Sequence, residues 1–225
     1  MLLHLDLLAI WFLFIFGVFV PYISFKSGRR IRTGAPIPPR RRIFKNILVM
    51  QILFLLISLF TARNRGIELF PPGRLSSGAL VFAIGMLGIG LSVMSLLWRR
   101  SSEDEKRRAL QTRPNDAKDL RWWFLVSLAA GIVEEITYRG VMFALLLVMT
   151  RNWWTAVAIC VVFFALGHAN QGLLRMSFVG AIAVGCHVLV WMTGTLYLAM
   201  AVHFAYDFLA GIVYLRWAQQ MKPAA

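Results

Sequence analysis

The chain has 225 residues, is 59% hydrophobic with a mean hydropathy of +0.69, and carries a net charge of +14. Only 15% of residues are charged, too few for an ordinary soluble domain of this length, so a soluble globular protein is excluded. The positive charge invites a nucleic-acid reading, but the basic residues cluster in the connections between apolar runs, and no nucleic-acid partner is expected. Apolar windows recur at the length needed to cross roughly 30 Å of hydrocarbon, which predicts an all-α polytopic transmembrane bundle of about seven or eight spans.

The first span runs from Leu3 to about Phe25, with His4 and Asp6 near its start as interfacial end residues. It is long enough to be a membrane span, and no basic region precedes it, so no cleavable signal peptide is expected. The segment from Ser27 to Lys45 carries Arg29, Arg30, Arg32, Arg40, Arg41, Arg42 and Lys45, and its prolines 36, 38 and 39 disfavour a regular helix. It reads as a cytoplasmic loop that touches anionic lipid. The N-terminus is then outside. A second span covers about Asn46 to Ala62, followed by an outer loop from Arg63 to Ser77. The third span, about Gly78 to Trp98, contains Gly85, Gly88 and Gly90, read as close-packing positions.

The polar stretch from Arg99 to Arg121 reads as a second cytoplasmic loop, with a turn at Arg113-Pro114-Asn115-Asp116. It divides an N-terminal three-span part (1–98) from a C-terminal part (122–225). No ionisable group lies deep in the first three spans. The fourth span begins at the interfacial pair Trp122-Trp123 and runs to about Met149, so long that it must tilt or bend, with Gly140 as a candidate point. The fifth span ends at His168, the sixth covers about Leu173 to Met192, and the seventh about Thr195 to Trp217. The short basic tail is expected in the cytoplasm. Cys160 and Cys186 lie inside apolar segments and read as small buried residues.

The candidate chemistry is confined to the last hundred residues. Ionisable groups within membrane spans are costly and mark functional sites by default. Glu135 and Arg139 are four apart, so they share a helix face and pair with the acid on the N-terminal side. Glu134 lies about 100° round the helix, without a local cation, and suits a general base. Phe164 and His168 are also one turn apart, as are His203 and Asp207. Asp207 alone would serve to orient His203. His187 lacks such a partner and reads as structural. Each isolated group would cost about 2.5–3.5 kcal/mol on insertion scales, and pairing around one cavity removes that cost.

The ordered set Glu134-Glu135-x-x-x-Arg139, Phe164-x-x-x-His168 and His203-x-x-x-Asp207 resembles the three-motif signature of the CAAX-protease and bacteriocin-processing (Abi) family of intramembrane endopeptidases. The resemblance covers roughly Trp122 to Tyr214. It implies hydrolysis of a peptide bond in a membrane-associated protein or peptide. Glu134 and His168 would activate a water, and His203 with Asp207 would stabilise the oxyanion, while Glu135, Arg139 and Phe164 support the site. An ionised Asp207 accepts only, so it would orient His203 or act protonated. No cofactor is expected under this glutamate-type mechanism. In a zinc-dependent version Glu134, His168 and His203 would be the three ligands, with water in the fourth place. A proton-coupled transporter and a non-catalytic scaffold are the competing functions. Size and economy of loops point to a bacterial member in the cytoplasmic (inner) membrane, N-terminus out and C-terminus in.

Overall fold

A computed structural model describes residues 6–221. Every regular element among them is helical. The chain runs as α1 (Leu7–Phe14), a π-helical segment (Ile15–Phe19) and α2 (Val20–Arg32), then α3 (Arg40–Arg65) and α4 (Ser77–Arg100). A short α5 (Glu103–Gln111) precedes α6 (Ala117–Glu134), a second π-helical segment (Glu135–Met142) and α7 (Phe143–Thr150), which together form one rod over 117–150. The last elements are α8 (Trp153–Leu166), a 3₁₀ turn (Ala169–Gln171), α9 (Leu173–Thr193) and α10 (Tyr197–Gln220).

Among the described residues five stretches are long and apolar enough to cross a membrane: Leu7–Arg32, Arg40–Arg65, Ser77–Arg100, Leu173–Thr193 and Tyr197–Gln220. Beside them stand the 117–150 rod, whose apolar run is interrupted by the ionisable motif, and the shorter α8 of 14 residues. Leucines, isoleucines and phenylalanines line the outer faces, including Ile52, Leu56 and Phe60 of α3 and Val81, Ile84 and Ile89 of α4. That outward apolarity belongs to an integral membrane protein, since lipid solvates what water would not.

Helix ends are set locally. Asp6 caps α1 by accepting from the Ala9 amide at 2.9 Å and pairs with Arg65 at the end of α3. The Ala9 hydrogen bond, aided by Arg65, holds the Asp6 carboxyl below the usual carboxylate range. Gly66 ends α3 with φ 62°, a left-handed value that glycine adopts without strain. Ser102 and Glu105 form a reciprocal capping box on α5, so the polar stretch 99–121 contains a helix where a loop was expected. The turn expected at 113–116 ends in Asp116, which caps α6 by accepting from the Asp119 amide at 2.6 Å.

The basic loops meet at one end of the bundle. Arg40 and Arg41 both approach the buried Asp119 at 3.5 Å, and Arg40 also donates to the Leu110 carbonyl at 3.3 Å. The connection from α2 to α3 therefore lies beside the one from α4 to α6. At the opposite end the Arg74 amide donates to the Thr193 carbonyl at 2.8 Å.

One further sequence expectation changes. Of Gly85, Gly88 and Gly90 on α4, only Gly90 packs tightly, against the Tyr206 ring; Gly85 and Gly88 face open space and are not helix contacts. Glycine spacing does not reveal which face a helix turns inward. Leu3 and His4 lie outside the described residues.

Helices α6 and α10 run antiparallel and close together. A Cβ placed on Gly131 would sit 2.8 Å from the backbone nitrogen of Phe204 and 3.0 Å from its Cα. Backbone cannot yield as a side chain can. Gly131→Val should cost about 1–3 kcal/mol through overpacking and push His203 away from Glu134. Thermal unfolding in detergent measures the first effect, and a catalytic loss larger than the stability loss measures the second. A Tm equal to that of the unaltered chain would contradict this packing.

Candidate active site

The four candidate groups come from three rods. Glu134 ends the regular part of α6, His168 follows the last turn of α8, and His203 and Asp207 lie one turn apart on α10. Glu134 Oε2 is 4.0 Å from His168 Nε2 and 3.9 Å from His203 Nε2. His203 Nε2 is in turn 3.8 Å from Asp207 Oδ2. All four groups are thus within one small volume. At ~1.5 Å per residue, Glu134 lies roughly 16 Å along α6 from Trp123.

Each imidazole is fixed by its other nitrogen. His168 Nδ1 lies 2.9 Å from the Phe164 carbonyl oxygen, which can only accept, so the ring proton sits on Nδ1 and the neutral ring turns a lone pair at Nε2 toward Glu134. His203 Nδ1 lies 2.8 Å from Glu135 Oε1 and donates to it. The hydrogen bond that orients His203 therefore comes from Glu135. Asp207 stands at the far nitrogen, beyond hydrogen-bond distance.

Glu135 has a second contact on the same oxygen, with Arg139 Nη1 at 3.1 Å. The guanidinium is not aligned for a hydrogen bond there, so the contact is an ion pair. Both side chains are sealed from solvent, at 0% and 1% exposure. Arg139 Nη2 donates to the Ala183 carbonyl at 3.2 Å, and the guanidinium lies over the Phe164 ring at 4.4 Å. Phe164 also meets the rings of Tyr138, His168 and His203. One aromatic ring thus packs the arginine and both histidines. The ion pair forms within the π-helical segment, a feature that recurs at functional sites because it re-aims side chains.

Two neighbours were not foreseen. Gln51 of α3, 2% exposed, donates from Nε2 to Glu134 Oε1 at 2.8 Å. Its signal in the sequence is the lone amide of the apolar run 47–60, a neutral group that a criterion of ionisable charge does not reach. The other is Ser24 of α2, whose hydroxyl accepts from the Asn170 amide at 3.1 Å and so holds the turn that follows His168. His187 is buried against the Phe143 ring.

The zinc arrangement was tested against these distances. Ligand atoms at about 2.0–2.1 Å around a tetrahedral zinc stand about 3.3 Å apart. The Glu134–His168 and Glu134–His203 separations are wider. Among the described residues no group of three or more His, Cys, Asp or Glu side chains is arranged to hold a metal ion.

The carboxylates and histidines thus gather inside an all-helical bundle, within the stretch that a family model matches. Residues 116–209 match the family model described as Rce1-like, type II CAAX prenyl endopeptidase Rce1-like. The match covers less than half of the chain, falls on the stretch that carries the three motifs, and supports an intramembrane endopeptidase in general. No curated protein and no solved structure matches the chain.

Proposed function

We propose that the chain hydrolyses a peptide bond in a membrane-associated protein or peptide by a glutamate-type, metal-free mechanism. The observation that carries this reading is the approach of Glu134 Oε2 to His168 Nε2 at 4.0 Å, each presenting a lone pair to the other. A water spans such a gap by donating one proton to each acceptor at roughly 2.8 Å. Glu134 takes a proton as the water oxygen attacks the scissile carbonyl. The negative charge that develops on the carbonyl oxygen is met by His203, whose Nδ1–H is anchored on Glu135 and whose protonated Nε2 donates to the oxyanion. Asp207, 3.8 Å away, stabilises that imidazolium. The proton on Glu134 then passes to the departing amine, which restores the carboxylate.

The entrance is on the basic end of the bundle. There α8 stops at Leu166, and His168, with a quarter of its side chain exposed, lies in the turn before α9. We assign this end to the cytoplasm, because Arg29, Arg30, Arg32, Arg40, Arg41 and Arg42 crowd it. These arginines would also hold anionic lipid headgroups beside the entrance.

The test is cleavage of membrane-anchored peptides by the purified chain in liposomes, read by mass spectrometry of the products. Active protein should cleave them, His168→Ala should lower the rate by about 10²–10⁴-fold, and a zinc chelator should leave the rate unchanged. Loss of activity on chelation, restored by added zinc, would overturn the metal-free mechanism. Proton flux without cleavage would overturn the protease reading.

A further inference from the structure

We propose that Gln51, which lies outside the family-matched stretch, is a positioning residue for the carboxylate of Glu134. This rests on the reading of Glu134 as the water-activating base. An amide in the middle of α3 is costly in lipid unless it turns inward and finds a partner. Gln51 does so at 2% exposure. A carboxylate oxygen only accepts, so the atom that faces Glu134 Oε1 at 2.8 Å must be the amide nitrogen. Glu134 Oε2 is left without a hydrogen-bond partner among the described residues, close to both imidazole Nε2 atoms.

This asymmetry has a chemical consequence. The Gln51 N–H occupies Oε1, so a proton arriving from water is confined to Oε2. That is the oxygen nearest both histidines and the one from which a leaving amine can be protonated. The same bond fixes the plane of the carboxylate. Gln51 thereby decides which oxygen is the base and where it points, and the catalytic unit is completed by a helix of the N-terminal part. The neighbouring contact from Ser58 to Thr137, at 2.9 Å, ties α3 to the same rod without touching Glu134. It serves as the control for mere helix adhesion.

The experiment compares Gln51→Met, near in size but without a donor, with Ser58→Ala in the purified full chain. A misaimed base should lower kcat by about 10–100-fold in Gln51→Met with KM within about threefold, while Ser58→Ala keeps its kcat. Gln51→Asn retains the donor one methylene short and should not restore the rate. A thermal double-mutant cycle of Gln51→Met with Glu134→Leu reads the contact without activity and should be non-additive. An unchanged kcat in Gln51→Met, an equal kcat loss in Ser58→Ala, or an additive cycle would overturn the proposal. A wild-type chain that cleaves none of the membrane-anchored peptides would instead sink the endopeptidase reading, and the proposal with it. An active wild type with an equally active Gln51→Met sinks the proposal alone.

Discussion

Glu134→Gln is expected to lower kcat by about 10³-fold, within the range that a positioned general base contributes, while the folded protein remains abundant. The substitution preserves shape. The new side-chain oxygen can still accept from Gln51, and the new amide group can donate to the lone pair at His168 Nε2. Nothing buried is left unpaired, so thermal stability should be close to that of the wild type. What disappears is the lone pair that takes a proton from water. KM should change little, because a membrane-anchored peptide is held by contacts away from that oxygen. Glu134→Asp adds a second reading. It retains the carboxylate but draws it back from His168, and a misplacement of about 1 Å at a reacting group costs about 10²-fold. Rates measured beside thermal unfolding separate chemistry from folding. Glu134→Gln with cleavage within tenfold of wild type would remove Glu134 from the mechanism.

The parts of this site that could be read from sequence are those that share a helix. Glu135 with Arg139, and Phe164 with His168, meet because residues four apart lie on one face, and the contacts form at 3.1 Å and 2.9 Å. Spacing likewise brings His203 and Asp207 together on α10, but only to 3.8 Å. Periodicity says that two residues share a face; it does not say which of them reaches the ring. That depends on how α6 and α10 are rotated against each other, and the rotation gives the His203 Nδ1 proton to Glu135. Glu135 therefore has two attachments, an ion pair along its own helix and a hydrogen bond across to another. The second was invisible in a linear sequence. Gln51 was hidden for a different reason: charge is what marks a costly group in an apolar run, and an amide is neutral. The π-helical segment at Glu135–Met142 was not legible either, since a shift from α to π hydrogen bonding depends on packing around the rod rather than on any residue in it. What the sequence did locate, through a run of arginines and prolines, was the basic end of the bundle, whose loops Asp119 draws together.

The second large effect is on stability, at the other member of the acidic pair. Arg139→Met should destabilise the protein by about 3–5 kcal/mol, the usual cost of removing one partner of a buried ion pair. Arg139 and Glu135 are sealed from solvent, so water cannot replace the lost cation. The methionine would also lose the Ala183 hydrogen bond and the guanidinium stacked on Phe164. Glu135→Gln should be milder. The amide oxygen still accepts from His203 Nδ1–H, and Arg139 keeps the Ala183 carbonyl and the Phe164 face, so activity should be reduced rather than abolished. The double variant Arg139→Met/Glu135→Gln removes both charges together and should recover part of the stability lost in Arg139→Met, because it leaves no uncompensated charge. It should not recover full activity, since the imidazolium of His203 that meets the oxyanion would then face a neutral amide at Nδ1. Thermal unfolding of the three variants, beside their cleavage rates, tests each statement separately. A wild-type Tm in Arg139→Met would show that Glu135 does not depend on this arginine. A double variant no more stable than Arg139→Met would show that the loss lies in the stacking on Phe164 and the Ala183 contact rather than in charge.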